Sequence, residues 1–338
     1  MKAAVLYAPK DLRVETARDP SPGAGEALIR VRAAGLCGTD FRIWSGDRPV
    51  RYPLIMGHEF IGEVAAVGPG VENVKPGDSV AVEPNYSCGT CALCREGSRN
   101  LCFSRTAVGI DVDGGLAELA HVPARCCWPA SARLSLEELL LTEPLAVVVR
   151  AVNRSAVRPG ETAAVLGVGT LGLLAVQVLR SRGARVLAVS RGDRRFSLAR
   201  EFGAEAVHSL AAGGGAEAAR RFSGREGVDL VVETAGTPEA VGEALGLARP
   251  GGRVVLTGLP HEPSEVHFFW VVRRELTIMG SMIYQDEFPQ SLRLLETGRV
   301  RTDRLLTHRF ALGDIDAAFA AHRRPDSIKV TVVPRDPH

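Results

Sequence analysis

The stretch Val165-Leu166-Gly167-Val168-Gly169-Thr170-Leu171-Gly172 decides how this chain is read. It is a G-x-G-x-x-G set between an apolar, strand-like run and a helical stretch after Gly172. Glycines at this spacing permit a tight turn, let a pyrophosphate approach the backbone, and allow a helix to pack close to its strand. The helix N-terminus, with Thr170 and Leu171 beside it, then faces the phosphates. In a chain with 36 glycines the motif alone carries little weight, so its flanks matter. Downstream, residues 185–190, 228–233, 253–258 and 276–280 read as strands, and 194–202 and 238–248 as helices. Strands alternating with helices imply βαβ units and an α/β, doubly wound parallel sheet of Rossmann type. Residues 211–219 read as a low-complexity surface loop.

The end of the second strand selects the dinucleotide. A site for NAD wants an acid there to bind the ribose 2′-hydroxyl. Here the strand ends in Ser190-Arg191, with Arg194 and Arg195 close behind. A hydroxyl and guanidinium groups suit a 2′-phosphate and point to NADP. Asp193 is available as a displaced acid, which keeps NAD as the alternative.

Working towards the N-terminus, the pattern changes. Up to about residue 130 it is short and strand-like, with β-prone runs at 27–31, 60–67, 79–82 and 117–122 between Gly and Pro turns. A length of 338 residues, 46% of them hydrophobic, suits two domains with real cores. The expected division is 1–149 with 286–338 as a discontinuous β-rich domain and 150–285 as the dinucleotide domain. In this reading the helix at 288–295 and the strand at 328–333 return to the first domain. The net charge of +2 gives no bulk basicity for nucleic acid or an anionic membrane. The 41 basic residues comprise 37 arginines and only four lysines, so any single Arg is weak testimony. Residues 1–9 read as a first strand rather than a signal peptide, and the most apolar stretch, 163–179, is broken by Gly167, Gly169 and Gly172. A cytoplasmic protein is expected. The odd number of cysteines, seven, suits metal ligation in a reducing compartment better than disulfides.

Cys88, Cys91, Cys94 and Cys102 stand as C-x2-C-x2-C-x7-C. Four thiolates at these spacings can close tetrahedrally on zinc, and a closed four-cysteine site holds a loop rather than performing chemistry. A ferredoxin-type iron–sulfur run has a shorter last step and a proline after the final Cys, whereas Phe103 follows here. A second group, Cys37 in Gly35-Leu36-Cys37-Gly38-Thr39-Asp40 and His58-Glu59 in Gly57-His58-Glu59-Phe60, offers a thiolate, an imidazole and a carboxylate. Three such ligands leave an open position, as in a catalytic zinc site. Spacing alone does not separate that from an inert buried Cys and a hydrogen-bonded core His.

Together, these motifs resemble the zinc-containing medium-chain dehydrogenase/reductase superfamily over essentially the whole chain. The residues that carry the resemblance are Tyr52-Pro53-Leu54-Ile55-Met56-Gly57-His58-Glu59-Phe60-Ile61-Gly62-Glu63-Val64, the four-cysteine loop, Glu143-Pro144-Leu145-Ala146 and the glycine loop, in that order. Glu143-Pro144-Leu145 looks most like the sorbitol, polyol, sugar-acid and threonine dehydrogenases. The resemblance implies a GroES-like first domain and two zinc ions. Cys37, His58 and Glu59 would bind the catalytic zinc, with Glu143 a fourth or water-bridged ligand, and Thr39 would accept the alcohol proton. It also implies that Thr234-Ala235-Gly236, Gly258-Leu259-Pro260 and Gly280-Ser281-Met282 line the nicotinamide side. Residues 276–279 would pair across a dimer axis, giving a homodimer or homotetramer. Trp44, Phe103 and Tyr284 are candidates for the substrate wall. Two positions depart from the family pattern, which often has His where this chain has Arg42 and Arg150; Arg cannot shuttle protons near pH 7.

The leading expectation is an NADP-preferring zinc dehydrogenase for a polyol, sugar or related secondary alcohol. A threonine-type amino-alcohol dehydrogenase is the close alternative. A zinc- and NADPH-binding redox sensor without turnover is the alternative from another class. Cys37, Thr39, His58 and Glu59 argue against that loss of turnover, and Arg42 argues for it. Cys126 and Cys127 have no assigned role.

Overall fold

In the computed structural model, residues 1–334 are described. The N-terminal segment forms strands β1 (Lys2–Ala8), β2 (Asp11–Thr16) and β3 (Glu26–Leu36), helix α1 (Gly38–Ser45), then β4 (Leu54–Ile55), β5 (Glu59–Val67), β6 (Ser79–Val82) and β7 (Asn85–Tyr86). Helix α2 (Ala92–Arg95), β8 (Thr106–Ala107), β9 (Leu119–Pro123), β10 (Cys127–Pro129) and α3 (Leu136–Leu140) follow. The longest strand, β3, alternates buried and more exposed residues at first and is then buried through to Leu36, where it leads into the half-buried Cys37.

After α4 (Thr142–Ser155) the pattern becomes α/β: β11 (Thr162–Leu166), α5 (Thr170–Ser181), β12 (Arg185–Ser190), α6 (Phe196–Glu201), β13 (Ala206–Ser209), α7 (Gly215–Ser223), β14 (Val228–Glu233), α8 (Pro238–Leu247), β15 (Ala248–Leu256), α9 (Phe268–Arg273), β16 (Thr277–Gly280) and α10 (Phe288–Glu296). All six strands are parallel, in the order β13-β12-β11-β14-β15-β16. This is a doubly wound sheet, with its switch point beside β11. Strands β11 and β14 are buried along their whole length, as a sheet covered on both faces requires.

The chain ends with β17 (Leu306–Ala311), α11 (Ile315–His322) and β18 (Lys329–Val333). Strand β18 pairs antiparallel with β3, completing a mostly antiparallel sheet in the order β10-β6-β5-β3-β18-β17, with β9 also on β3. Its apolar face encloses one core that includes Ile29, Phe60, Val80, Leu116, Phe319 and Val332. The two compact units are Met1–Glu143 with the segment from Thr302 onward, and Pro144–Arg301. The return to the first unit therefore begins at Thr302 rather than at residue 286, and α10 belongs to the nucleotide unit, where Glu287 pairs with Arg150 of α4.

Two sequence expectations shift locally. Helix α5 starts at Thr170, not after Gly172, because Gly169 already serves as its N-cap. Gly172 lies inside the helix, where any Cβ would overlap the Gly167 carbonyl. Residues 211–219 are not all loop: α7 begins at Gly215 and buries Ala218 and Ala219, since even an Ala- and Gly-rich segment gains by packing its small-residue face. Among the described residues, no helix is long and apolar enough to cross a membrane; residues 163–179 split into β11, the glycine turn and α5.

Candidate active site

Cys37 sits at the N-cap of α1, so its sulfur faces the positive end of the helix. The Thr39 N–H donates to Cys37 Sγ at 3.2 Å, and the Cys37 N–H donates to Asp40 Oδ2 at 2.9 Å. This reciprocal capping fixes the sulfur without using a flexible loop. From the start of β5, His58 places Nε2 3.1 Å from Cys37 Sγ and Nδ1 3.1 Å from Asp40 Oδ1. The fully buried Asp40 accepts from Nδ1, which leaves Nε2 as the nitrogen to face a metal, the usual way a second carboxylate orients a metal-binding imidazole.

Burial would push the Asp40 carboxyl up, yet the facing His58 and the Cys37 N–H hold it below its ordinary range. Burial disfavours a charged His58, but the negative field of Cys37 and Asp40 raises it well above its ordinary value. That field favours a cation at the same place. Cys37, His58 and Glu59 offer ligand atoms that all lie within 4.8 Å of one another, so a thiolate–imidazole–carboxylate set with the donor chemistry of an open zinc site is assembled.

Glu59 is buried and paired with Lys329 of β18, which is itself 2% exposed. Gly35 of β3 makes room for this pair: a Cβ there would stand 2.7 Å from Lys329 Cε and 2.9 Å from Glu59 Oε2. Burial lowers the Lys329 ammonium, but Glu59, Cys37 and Glu143 together hold it above its ordinary value. Glu143, buried in the first turn of α4, contributes to this field but is not in the three-ligand group. Nearby, His322 at the end of α11 has its Nδ1 buried with no partner, and burial beside Lys329 lowers its pKa. Sequence reasoning missed Asp40, Lys329 and His322. Asp40 had a signal, since its carboxylate three residues beyond Cys37 completes a capping box. Lys329 had a compositional one, as a lysine in an arginine-rich chain. His322 had none.

The second cluster is set around α2. Cys91 Sγ lies 3.5 Å from Cys94 and 3.8 Å from Cys102, and Cys88 lies 3.5 Å from Cys102 and 4.0 Å from Cys94. Four sulfurs about 2.3 Å from one zinc would stand roughly 3.8 Å apart, so the cluster already fits a tetrahedral metal. The N–H groups of Thr90 and Cys91 pull the Cys88 thiol down to about 6, which favours a ligating thiolate. Cys126 and Cys127 are different: burial pushes both thiols up, Cys127 to about 12, and leaves them as packing residues.

In the nucleotide unit, Gly167 has a φ of +99°, and Thr234 Oγ1 donates to its carbonyl at 2.9 Å, tying the loop after β14 to the glycine turn. Ser190 closes β12, half-buried. Arg191 and Arg194 are exposed, whereas Arg195 is half-buried and donates from Nη1 to the Val168 carbonyl at 3.1 Å. Arg191 and Arg195 are thus not equivalent, because only Arg195 braces the glycine loop. The remaining cofactor candidates, Ala235, Gly258, Leu259, Gly280, Ser281 and Met282, fall at or just beyond the carboxyl ends of β14, β15 and β16, where ligands bind in open α/β sheets. Leu259 is exposed, but Ser281 is buried and its hydroxyl has no partner.

The aromatic candidates separate. Tyr284 is not on a wall: it is 2% exposed and packs edge-on against Phe288 with ring centroids 5.0 Å apart, because the chain turns inward to start α10. Phe103 projects from the four-cysteine loop, 83% exposed. Trp44 is half-buried between Phe41 and Phe319, at 5.3 and 5.7 Å. Arg42 lies in the last turn of α1.

Comparison with known proteins gives the family. Residues 23–132 match the alcohol dehydrogenase GroES-like domain, and residues 170–297 match the zinc-binding dehydrogenase family. The chain is 36% identical over 323 residues to L-threonine 3-dehydrogenase of Bacillus velezensis, covering 93% of each. It is 34% identical over 345 residues to sorbitol dehydrogenase of Bacillus subtilis, covering 99% of this chain and 97% of that one. Among solved structures, a zinc-binding dehydrogenase of Sinorhizobium meliloti bound to NADP superposes with a TM-score of 0.93 at 34% identity, covering 98% of this chain and 99% of that one. A short chain alcohol dehydrogenase of Escherichia coli complexed with NADH gives a TM-score of 0.93 at 32% identity, with coverage of 98% and 99%.

Proposed function

The chain belongs to the zinc-containing medium-chain dehydrogenase/reductase superfamily, in the branch of the sorbitol and threonine dehydrogenases, and from that membership we propose that it transfers a hydride between a polyol, sugar or related secondary alcohol and NADP. Membership makes it a nicotinamide-dependent alcohol oxidoreductase; the substrate class and the choice of NADP are the proposal. The observation that carries it is the Cys37–His58–Glu59 group, assembled with Asp40 and Lys329 behind it, in a chain that also holds a complete dinucleotide loop. An L-threonine 3-dehydrogenase among the relatives supports an amino alcohol as the second reading.

In this reading Cys37, His58 and Glu59 hold one zinc, and Cys88, Cys91, Cys94 and Cys102 hold another. When bound, the first ion would supply a Lewis acid for the substrate oxygen, and the nicotinamide would supply the hydride acceptor. Asp40 keeps His58 in the ligating tautomer. Lys329 balances the charge of Glu59, and Glu143 adds to the anionic surroundings without entering the ligand group. Thr39, whose N–H donates to the Cys37 sulfur, is the residue that takes the alcohol proton in this reading. A guanidinium cannot relay a proton, so Arg42 is no relay and the proton leaves Thr39 to solvent.

Ser190 and Arg191 recognise the 2′-phosphate, and Arg195 serves both dinucleotides through the glycine loop. In the nucleotide unit, the edge strand β16 leaves Ile278 exposed, and α9 leaves Phe268, Phe269, Trp270 and Val272 exposed. An unpaired strand edge beside such an apolar patch suits pairing with a second copy, so a homodimer or homotetramer is part of the proposal. Seven free cysteines fit a reducing, cytoplasmic setting.

The test is absorbance at the reduced-nicotinamide band with NADP or NAD against polyols, sugars and amino alcohols. Turnover of a polyol or sugar with NADP favoured at least tenfold is expected, a difference of about 1.4 kcal/mol. Arg191→Ala should erase that preference while leaving NAD binding intact; an unchanged preference assigns the 2′-phosphate elsewhere.

A further inference from the structure

Glu233 closes β14 and has no exposed surface. Its Oε1 accepts from the N–H of Ala235 at 2.6 Å and from the N–H of Gly236 at 2.8 Å, so the carboxyl group folds back and fixes the turn that follows its own strand. Its main-chain carbonyl accepts from the N–H groups of Thr257 and Gly258 at 2.9 and 3.1 Å, at the end of β15. One residue therefore holds two loops, one through its side chain and the other through its backbone.

The loops meet at close quarters. A Cβ on Gly258 would stand 2.6 Å from Glu233 Oε2 and would overlap the Gly236 backbone. Gly236 has a φ of +67°, and a Cβ on it would come within 2.9 Å of the Leu259 N. Glu233, Gly236 and Gly258 thus form a knot in which backbone packs on backbone and the carboxyl group is the central fastening. Thr234, next in sequence, ties the same loop to Gly167 of the glycine turn.

Glu233 Oε2 has no hydrogen-bond partner, and no cation pairs with the carboxyl among the described residues. Burial pushes the Glu233 pKa up, and the N–H groups of Gly236, Ala235 and, least of the three, Gly258 oppose that rise. A buried polar atom without a partner costs roughly 1–3 kcal/mol, so a plain core residue would be the more stable choice here. The loop after β16 contrasts with this one. There Glu287 accepts from the N–H of Gln285 at 2.6 Å and of Asp286 at 3.0 Å, but Arg150 compensates its charge at 3.4 Å. The same device therefore occurs after two strands of one sheet, and only Glu233 lacks a counter-ion.

We propose that Glu233 is a positioning residue of the cofactor site: its carboxyl oxygen holds the Thr234–Gly236 and Gly258–Leu259 loops in the one arrangement that accepts the nicotinamide half of the dinucleotide. The proposal rests on the reading that those loops face the nicotinamide half. What the site requires of residue 233 is a carbonyl-type oxygen at that reach. Gln supplies it, Asp is one carbon too short, and Leu has no acceptor.

The experiment measures Kd for NADPH, NADH and ADP, the last lacking the nicotinamide riboside, on full-length zinc-loaded protein. Wild type is compared with Glu233→Gln, Glu233→Asp, Glu233→Leu and Gly258→Ala, and thermal unfolding is followed in parallel. Expected is a loss of at least tenfold in affinity for the favoured reduced dinucleotide in the Asp and Leu variants, with ADP affinity unchanged and the Gln variant within about threefold of wild type. If the Leu variant does not fold, the Asp variant carries the same comparison. Equal losses for ADP and dinucleotide, no loss in the Asp and Leu variants, or failure of Gln to rescue would overturn the role of Glu233. A loss in Gly258→Ala with none in the Glu233 variants overturns the inference alone. Unchanged dinucleotide binding in Gly258→Ala overturns the loop assignment beneath it.

Discussion

Lys329 is one of four lysines beside 37 arginines, and the other three, Lys2, Lys10 and Lys75, are exposed. A compact ammonium fits the cradle left by Gly35, where the wide planar guanidinium of arginine would not. Its worth lies in charge balance, since removing one partner of a buried ion pair leaves the other uncompensated at a cost of about 3–5 kcal/mol. Lys329→Met should therefore lower the stability of the metal-free protein by about 3 kcal/mol, because Glu59 is left alone beside Cys37 and Asp40. Zinc should restore more stability to this variant than to wild type, since the ion replaces the lost positive charge. Thermal unfolding with and without zinc checks both halves. An unchanged metal-free stability would show that Lys329 is not the balancing charge.

At the level of elements, the nucleotide sheet is fastened where β11 and β14 begin. Asp229 Oδ2 accepts from the Thr162 N–H at 2.8 Å and from its hydroxyl at 2.7 Å, while Oδ1 accepts from Arg249 Nε at 2.7 Å. Burial would raise this carboxyl, but the Thr162 N–H and Arg249 bring it down to about 2. A depressed folded value stabilises the protein above the unfolded pKa near 3.9 and is lost as pH falls through the folded one. The fastening should contribute about 2 kcal/mol at neutral pH and fade between about pH 4 and pH 2. Asp229→Asn should accordingly lose about that much at pH 7 and converge on wild type towards pH 2, as read by denaturant unfolding at a series of pH values. Arg150 acts on the same sheet from outside: through Glu287 it braces the loop that leads from β16 into α10.

For the molecule as a whole, the two cysteine-containing groups divide the work. The four sulfurs of Cys88, Cys91, Cys94 and Cys102 close on themselves, whereas Cys37, His58 and Glu59 leave a coordination position open. Metal analysis should find two zinc ions per chain. Cys37→Ser should abolish turnover and leave unfolding little changed, and Cys91→Ser should lower the unfolding temperature and the total zinc together. Equal effects of the two substitutions on stability and turnover would contradict the division.

Much of this was legible in the sequence because it depends on local chemistry. The parallel strands, the glycine turn and the four-cysteine loop lie within short windows, where residue type and spacing fix backbone geometry. Several strand ends fall where β-branched runs meet Gly, Ser or Glu, as at Ser190 and Glu233. The start of α5 at Thr170 was less legible, because the second motif glycine acts as a cap and the third lies within the helix. Tyr284 was misread for a different reason: an aromatic residue after a strand looks the same in sequence whether it faces a ligand or the core.

By itself, the sequence determined the doubly wound sheet, the dinucleotide loop and the four-cysteine ligand set, all properties of contiguous segments. Only the tertiary structure decided what stands behind the ligand sets. Lys329 is 270 residues from Glu59, yet it reaches it because β18 returns to pair with β3. Glu233 fastens two loops only because β14 and β15 are neighbours in the sheet. Charge balance and close backbone approach are relations between distant segments, set by strand order and burial, and no local spacing encodes them.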